Sequence, residues 1–244
     1  MSIEAKTIII DIDEKNARIG IAGEQQPSAS IETKVGSVKN SSISDLISYE
    51  ETIREAFSKI NVDPKKTPVL ITETAISPKV NRERIASILF DRVNVPSIFI
   101  GYREVMAMYA CGYLNGIGVY VCSNCANVVP VVNGNAVHER KRTTKCDVDS
   151  IVNLIIEVQS SFEGKAGKDL KTVCIFGEVE VTGIVEELKK RVEDVKIVSS
   201  TGAVGETAWM GASTLAANTA FPGLSIPFSS YEIDGMSAIH AKLF

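Results

Sequence analysis

Short runs of β-branched residues alternate with amphipathic segments along this chain, and that alternation constrains the fold more than any single motif. Thr7–Ile12 and Val69–Thr72 have the apolar, β-branched composition of buried strands. Between them, apolar residues recur at helical spacing from Ile47 to Ile60. Because strands and helices keep alternating to the end of the chain, the sequence predicts a mixed α/β fold.

The first strand leads into a polar turn, Asp13–Asn16, and a second strand, Ala17–Gly23, which predicts a hairpin. Residues 24–42 are polar and predict a loop. Further strands are predicted at 69–73, 97–100, 116–122, 128–133, 173–177 and 196–198, and helices at 44–60, 81–93, 104–112, 150–162, 182–192, 208–218 and near Tyr231.

The composition excludes several classes of protein. Of the 244 residues, 45% are hydrophobic and 23% charged, which is a globular balance. The net charge of -4 argues against a basic nucleic-acid surface. No apolar run approaches the roughly 18 residues of a membrane span, and Thr7–Ile10 is too short for a signal-peptide core. We therefore expect no membrane partner and no nucleic acid.

The five cysteines are expected to be reduced thiols, buried or half-buried, in the cytosol or nucleus. Cys122 and Cys125 have CxxC spacing, which leaves zinc or redox chemistry as an alternative. A zinc site needs a second pair of ligands, and Cys146, His138 and His240 do not repeat the spacing. We expect no metal.

Several stretches, in the same order, resemble actin. They are Asp11 with Gly20–Glu24, Ile71–Arg84, Phe90–Pro96, Tyr109–Gly112, Ala208–Ala216 and the tail from Tyr231 to Phe244. The chain is identified as a divergent, truncated member of the actin and actin-related protein family. The resemblance implies the actin fold, two RNase H-like lobes, reduced to subdomains 1 and 3. Loop 25–43 replaces most of subdomain 2, and 134–150 replaces subdomain 4.

The resemblance divides the chain into two lobes. The first comprises 1–115, with 205–244 packing back on it, and the second comprises 116–204. In the family, two turns rich in Gly, Ser and Asp hold the phosphates of ATP through backbone N–H groups. The first turn here has Asp13, Glu14 and Lys15 where actin has Gly, Ser and Gly. Each carboxylate facing a phosphate would cost roughly 4 kcal/mol at about 4 Å.

The other nucleotide-binding segments also depart from the family. The second turn corresponds to Tyr120–Cys125, and it has lost both acidic residues and both glycines. The family's water-positioning glutamine and histidine correspond to Arg103 and Asn127. On the adenosine side, Phe176 replaces a small residue beside the retained Gly177. Asp11 remains, and a lone Asp at a strand end is ordinarily a solvated turn residue. The degenerate site therefore comprises Asp11, Asp13, Glu14, Lys15, Arg103, Tyr120, Ser123, Phe176 and Gly177.

These departures predict a pseudo-ATPase: not an enzyme, with no catalytic residue and no bound ATP or Mg²⁺. The alternative is a remodelled site that binds ATP weakly without hydrolysis. Sugar kinases and Hsp70 share the fold but need the same turns, so a kinase is disfavoured. Side chains such as Tyr120, Phe176 and Arg103 are expected to fill the vacated space.

The resemblance implies that this chain retains the barbed-end surface, through which actin binds helices and neighbouring subunits. The corresponding positions are Tyr109, Ala110, Gly112, Leu215, Asn218, Ala220, Phe221 and Leu224. Tyr109, Phe221 and Leu215 have an alternative interpretation as core residues. Retention of this one binding surface predicts a structural or capping subunit of a multiprotein assembly, bound to actin or actin-related proteins.

The resemblance leaves the assembly open. A dynactin-like or other cytoskeletal filament-end complex in the cytoplasm is favoured, and a nuclear chromatin-remodelling or acetyltransferase complex is the alternative. The basic run His138–Arg142 is interpreted as a solvated loop, with a nuclear signal or nucleic-acid patch as the alternative.

Overall fold

The computed structural model describes residues 6–162, 170–199 and 203–241. Contacts divide the chain into two units. The first contains the described residues up to Glu73, Ser77–Gly101 and those from Ala212 onward, and the second contains Thr74–Ile76 and Tyr102–Gly211. The second unit starts before the predicted boundary at 116 because the helix beginning at Arg103 packs on the strand Gly116–Val121. The end of the actin-like tail, after Ala241, lies outside the described residues.

The strands form one large sheet in each unit. In chain order they are β1 Ile8–Ile12, β2 Asn16–Ile21, β3 Ala29–Glu32, β4 Val38–Lys39, β5 Ser42–Ile43, β6 Val69–Glu73, β7 Ser97–Tyr102, β8 Gly116–Val121, β9 Cys125–Val132, β10 Asn135–Ala136, β11 Arg142–Lys145, β12 Thr172–Gly177, β13 Lys196–Val198 and β14 Ile226–Pro227. The first sheet has the order β14-β7-β6-β1-β2-β3, and the second β10-β9-β8-β12-β13, with β11 also pairing with β9.

The predicted loop 24–42 is wrong in part, because it contains β3, β4 and the first residue of β5. β3 pairs antiparallel with β2, and Ile31 in its middle is buried. The sequence prediction likewise missed β11, which starts at the end of the loop predicted for His138–Arg142 and pairs antiparallel with β9. The other predicted strands are present, with ends that shift by a few residues.

The helices follow the predicted pattern. They are α1 Leu46–Ile60, α2 Lys79–Ser87, α3 Arg103–Ala110, α4 Val148–Ser160, α5 Ile184–Arg191, α6 Thr207–Ala216, α7 Phe228–Asp234 and α8 Met236–Ala241. Short 3₁₀ turns lie at Pro64–Lys66, His138–Arg140, Val204–Glu206 and Phe221–Gly223, and a π-helix at Ile88–Val93 continues α2. Asp45 and Asp147 cap α1 and α4 by accepting hydrogen bonds from Ser48 N–H and Ser150 N–H. None of the helices among the described residues is long and apolar enough to cross a membrane.

Each unit packs apolar residues on a central strand. All five residues of β1 and all six of β8 are buried. Ile10, Ile53 and Phe57 belong to the first core, and Val119 and Ile155 to the second. Burying such a side chain stabilises the fold by about 1.5–3 kcal/mol. Because both family nucleotide turns extend directly from these central strands, their positions within their own units are fixed by the cores.

Candidate functional site

The first hairpin turn, Asp13–Asn16, folds around the side chain of its own first residue. Asp13 Oδ1 accepts hydrogen bonds from the backbone N–H groups of Lys15 and Asn16, at 2.8 and 2.7 Å. Backbone N–H groups in such turns are the donors that bind anions. An internal carboxylate therefore uses two of the donors that a phosphate would need.

A buried ion cluster holds that carboxylate in place. Arg18 Nη1 lies 2.6 Å from Asp13 Oδ2 and 3.2 Å from Asp11 Oδ2, and the three side chains are at most 8% exposed. Thr72 donates its hydroxyl to Asp11 Oδ1. Asp11 stands directly opposite Arg18 in the β1–β2 ladder. The expectation that Asp11 is a solvated turn residue is thus wrong, because it is buried and ion-paired.

The remaining residues of the first turn point elsewhere. Glu14 accepts a hydrogen bond from the Asn40 N–H, next to the β4–β5 hairpin. Lys15 is exposed. The expectation that Asp13 and Glu14 both present carboxylates to a ligand is therefore wrong for Asp13, whose oxygens are taken by the turn and by Arg18.

The second hairpin turn is closed covalently. Cys122 and Cys125 form a disulfide, and the Cys122 N–H donates to the Cys125 carbonyl at 2.9 Å. The expectation of reduced thiols is wrong for this pair, because the tight turn between β8 and β9 brings the two sulfur atoms together. Cys111, Cys146 and Cys174 are free. No group of three or more His, Cys, Asp or Glu side chains in the described part of the chain could hold a metal ion.

Four of the predicted nucleotide-site positions in the second unit lie together beside this turn. The Tyr120 ring packs on Phe176, with 5.4 Å between ring centroids, and the Arg103 guanidinium lies 5.2 Å from the Tyr120 centroid. All three side chains are almost completely buried. The Tyr120 hydroxyl donates to Glu178 Oε1 at 2.6 Å, and Ser123 Oγ donates to Glu178 Oε2 at 3.4 Å. Glu178 therefore binds both hydroxyl groups of the cluster.

Gly177 is required by close backbone packing. Its φ is +145°, and a Cβ at this position would lie 2.1 Å from the carbonyl oxygen of Val121 on the neighbouring strand. Any side chain here would push β12 away from β8. The family glycine thus has a structural role in this chain.

A buried carboxyl group lies on α3 next to Arg103. Glu104 Oε1 accepts a hydrogen bond from the Thr74 hydroxyl at 2.6 Å, and Oε2 accepts one from the Ala75 N–H at 3.0 Å. Asn127, at the family histidine position, donates to Thr74 Oγ1 at 3.1 Å. Burial raises the pKa of Glu104, and these hydrogen bonds offset part of the shift.

The predicted partner-binding residues belong to different units. Tyr109 is half-buried in the second unit and donates its hydroxyl to the Gly134 carbonyl at 3.0 Å, while Gly112 is exposed. In the first unit, Leu215 is partly exposed, Asn218 is exposed, and Phe221 is buried with its ring edge-on to Phe99. Phe221 is therefore a core residue, in line with the alternative interpretation.

A groove in the first unit runs beside these C-terminal positions. It encloses about 570 Å³, and the residues lining it include Thr7, Pro68, Ala217, Asn218, Phe221 and Pro227. The mixture of proline, alanine and small polar side chains is suited to an extended or helical polypeptide segment.

The basic run His138–Arg142 is largely occupied by intramolecular contacts. The Arg140 guanidinium donates to the Ser161 carbonyl and lies 4.7 Å from the Phe162 centroid. The Lys141 ammonium donates to the Ala75 carbonyl. The run is thus tied to its own unit, rather than forming the solvated loop that the sequence predicted.

Three residues of the site were not predicted. Arg18 could have been found by counting outward from the turn, since a hairpin closed by Asp13–Asn16 places it opposite Asp11. Glu178 and Glu104 carry no signal of this kind, because their partners Tyr120 and Thr74 are distant in sequence.

The family model for actin matches residues 38–163, just over half of the 244-residue chain. The matched segment runs from the β4–β5 hairpin through both units to α4, and it includes Arg103, Tyr120 and Ser123, whereas Phe176 and Glu178 follow it in the chain. The chain belongs to the actin family.

Proposed function

We propose that this protein is a non-catalytic member of the actin family that serves as a structural subunit of a multiprotein assembly. The observation that carries the proposal is the Asp13 carboxylate, which accepts hydrogen bonds from the two backbone N–H groups of the first phosphate turn. A triphosphate at this turn would have to displace a carboxylate that is also ion-paired to Arg18 in a buried setting.

The second turn supports the same proposal. The position that carries a metal-linked Asp in the family is Tyr120, whose hydroxyl is held by Glu178. Placing a phosphate beside Glu178 would bring like charges together, and the neighbouring Tyr120 and Phe176 rings leave apolar surface where oxygen ligands are needed. The loss of ligand chemistry in both units favours a pseudo-ATPase over a weak ATP binder.

The function that remains is docking. The C-terminal segment that resembles actin's barbed-end surface borders the 570 Å³ groove, and Asn218 presents its exposed side chain there. We propose that this surface binds actin or an actin-related protein at the end of a filament, in a dynactin-like or other cytoplasmic cytoskeletal complex. The intramolecular contacts of Arg140 and Lys141 argue against a nucleic-acid role for the basic run.

Nucleotide content tests the first part of the proposal. The purified protein is denatured and the supernatant analysed by chromatography for ATP and ADP, with actin purified in the same buffer as the positive control. Calorimetric titration with Mg·ATP follows on the folded protein. We expect no bound nucleotide and no binding heat, and a stoichiometric amount of ATP or ADP would overturn the proposal.

Affinity purification followed by mass spectrometry tests the second part. Asn218→Glu introduces a charge at the groove, while Ser58→Glu introduces the same charge on the exposed face of α1 as a control. We expect the wild type and the control to recover actin-related and dynactin subunits, and Asn218→Glu to lose them. Recovery of a chromatin-remodelling ATPase instead would contradict the cytoplasmic assignment.

A further inference from the structure

Two cysteines outside the degenerate nucleotide site lie side by side in the second unit. Cys111 caps the C-terminal end of α3, and Cys174 lies in the middle of β12. Their sulfur atoms are 3.5 Å apart. We propose that Cys111 and Cys174 form a hydroperoxide-reactive thiol pair, in which Cys111 attacks the peroxide and Cys174 then closes a disulfide.

The two thiols differ in exposure and in pKa, as an attacking and a resolving cysteine should. Cys111 is partly exposed, which gives a small hydroperoxide access to this residue, whereas Cys174 is buried. The hydrogen bond between the two sulfur atoms lowers the pKa of Cys111 and raises that of Cys174, and Cys174 Sγ also lies 3.8 Å from the Ala107 carbonyl oxygen. Because the thiolate is the reactive form of cysteine, Cys111 is the nucleophile.

The chemistry balances with hydrogen peroxide as the oxidant. The Cys111 thiolate attacks the terminal peroxide oxygen, the O–O bond breaks, and hydroxide leaves and takes up a proton to become water, so that Cys111 becomes a sulfenic acid. The Cys174 thiol then attacks the Cys111 sulfur, the S–O bond breaks, and a second water leaves. The two thiols are oxidised by two electrons and the peroxide is reduced to two waters.

The structure needs only a small adjustment to accommodate the product. A disulfide has an S–S distance of about 2.05 Å, so the two sulfur atoms have to approach by about 1.5 Å. Cys111 lies in the last turn of α3, where the following Gly112 has a φ of +80° and open space around its Cα. The inference is independent of the proposed function, since neither cysteine belongs to a nucleotide turn.

The test uses the wild-type protein, freed of reductant and treated with hydrogen peroxide at a few equivalents. Free thiols are then alkylated and the protein is digested for mass spectrometry. Trypsin alone leaves Cys111, Cys122 and Cys125 on one peptide, because no Lys or Arg lies between Arg103 and Arg140. Chymotrypsin is added to cleave after Tyr113, which separates Cys111 from the existing disulfide. We expect a peptide pair linked through Cys111 and Cys174, with Cys146 alkylated.

Two variants distinguish the role of Cys174 from the reactivity of an unrelated cysteine. In Cys174→Ala the resolving thiol is lost, so we expect dimedone to trap a sulfenic acid at Cys111 that the wild type does not accumulate. Cys146 provides a matched control, because it is also partly exposed but burial and Asp147 raise its pKa. Cys146→Ala should leave the linked peptide unchanged. The proposal is overturned if Cys146 reacts at least as fast as Cys111, or if peroxide leaves Cys111 and Cys174 unlinked in the wild type.

Discussion

The two hairpin turns that correspond to the family's phosphate-binding turns are closed in different ways. In the first unit, the turn Asp13–Asn16 is closed by ionic contacts with Arg18. In the second unit, the turn at Cys122–Cys125 is closed by a disulfide and flanked by the Tyr120 and Phe176 rings. Both turns extend from fully buried strands, so the difference arises from the side chains and not from the backbone framework.

Under the proposed function, the two turns exclude a nucleotide by two different physical routes. In the first turn, a tethered carboxylate occupies backbone N–H donors, and Arg18 offsets its negative charge. In the second turn, the packed Tyr120 and Phe176 rings disfavour charged groups. We expect the stability of the first turn to depend strongly on one ion-pair partner, Arg18. We expect the stability of the second turn to depend on how well the Tyr120 and Phe176 rings pack.

The largest effect on stability is expected for Arg18→Leu, which removes the guanidinium that is ion-paired with the buried carboxylates of Asp11 and Asp13. We expect a loss of about 3–5 kcal/mol in the free energy of unfolding, measured by urea denaturation. Arg92→Leu is the control, since Arg92 makes a 2.8 Å contact with Glu50 at the surface and is expected to contribute less than about 1 kcal/mol. Adding Asp11→Asn and Asp13→Asn to Arg18→Leu should restore part of the loss, and equal effects of the two arginines would contradict the ionic interpretation.

For the second turn, Tyr120→Asp puts back the acidic residue type of the family. It removes the ring that packs on Phe176 and places a second carboxylate beside Glu178, so we expect a loss of about 3 kcal/mol and no gain of ATP binding. Tyr120→Phe keeps the ring and removes the hydroxyl that donates to Glu178 and accepts from Arg103 Nη1 at 3.4 Å, with an expected loss of about 1.5–3 kcal/mol. Stable Mg·ATP binding by Tyr120→Asp would show that this side chain alone blocks the site.

Reduction of the Cys122–Cys125 disulfide should have a smaller effect, because the closed loop is short. The chain-entropy relation gives a loss of about 2 kcal/mol for a loop of this size. The urea midpoint is measured with and without reductant for the wild type and for the double variant Cys122→Ser with Cys125→Ser. Reductant should lower the midpoint of the wild type and leave the variant unchanged. If the wild-type midpoint is unchanged while mass spectrometry verifies reduction, the disulfide does not stabilise the fold.

The smallest effect on the free energy of unfolding is expected for Glu104→Gln. It is measured as the pH dependence of the difference between this variant and the wild type. Burial raises the pKa of Glu104 in the folded protein, so the folded state keeps this proton to a higher pH than the unfolded chain. Ionisation therefore reduces stability as the pH rises above about 4.3. Relative to the wild type, Glu104→Gln should become progressively more stable from about pH 4 to pH 8. A difference that does not vary with pH would contradict the raised pKa.

Hydrophobic periodicity predicted the strands and helices that build the two cores, because apolar side chains and burial follow the same period. It missed β3, β11 and the β4–β5 hairpin, since strands such as Arg142–Lys145 are polar and are fixed by pairing with a neighbour. The sequence also predicted that the nucleotide ligands are lost. It did not predict the replacements at Glu178 and Glu104, because contacts between distant residues depend on the completed fold.

The order of the chain has a consequence for synthesis. The second unit is complete once Gly211 has been made, whereas the first unit needs the residues from Ala212 onward. Among these, β14 pairs with β7 at the edge of the first sheet. On the ribosome, the first unit therefore remains incomplete after the second has been made, and its β7 edge stays unpaired until β14 emerges. This is the interval in which a nascent chain is most open to chaperones and to misassembly.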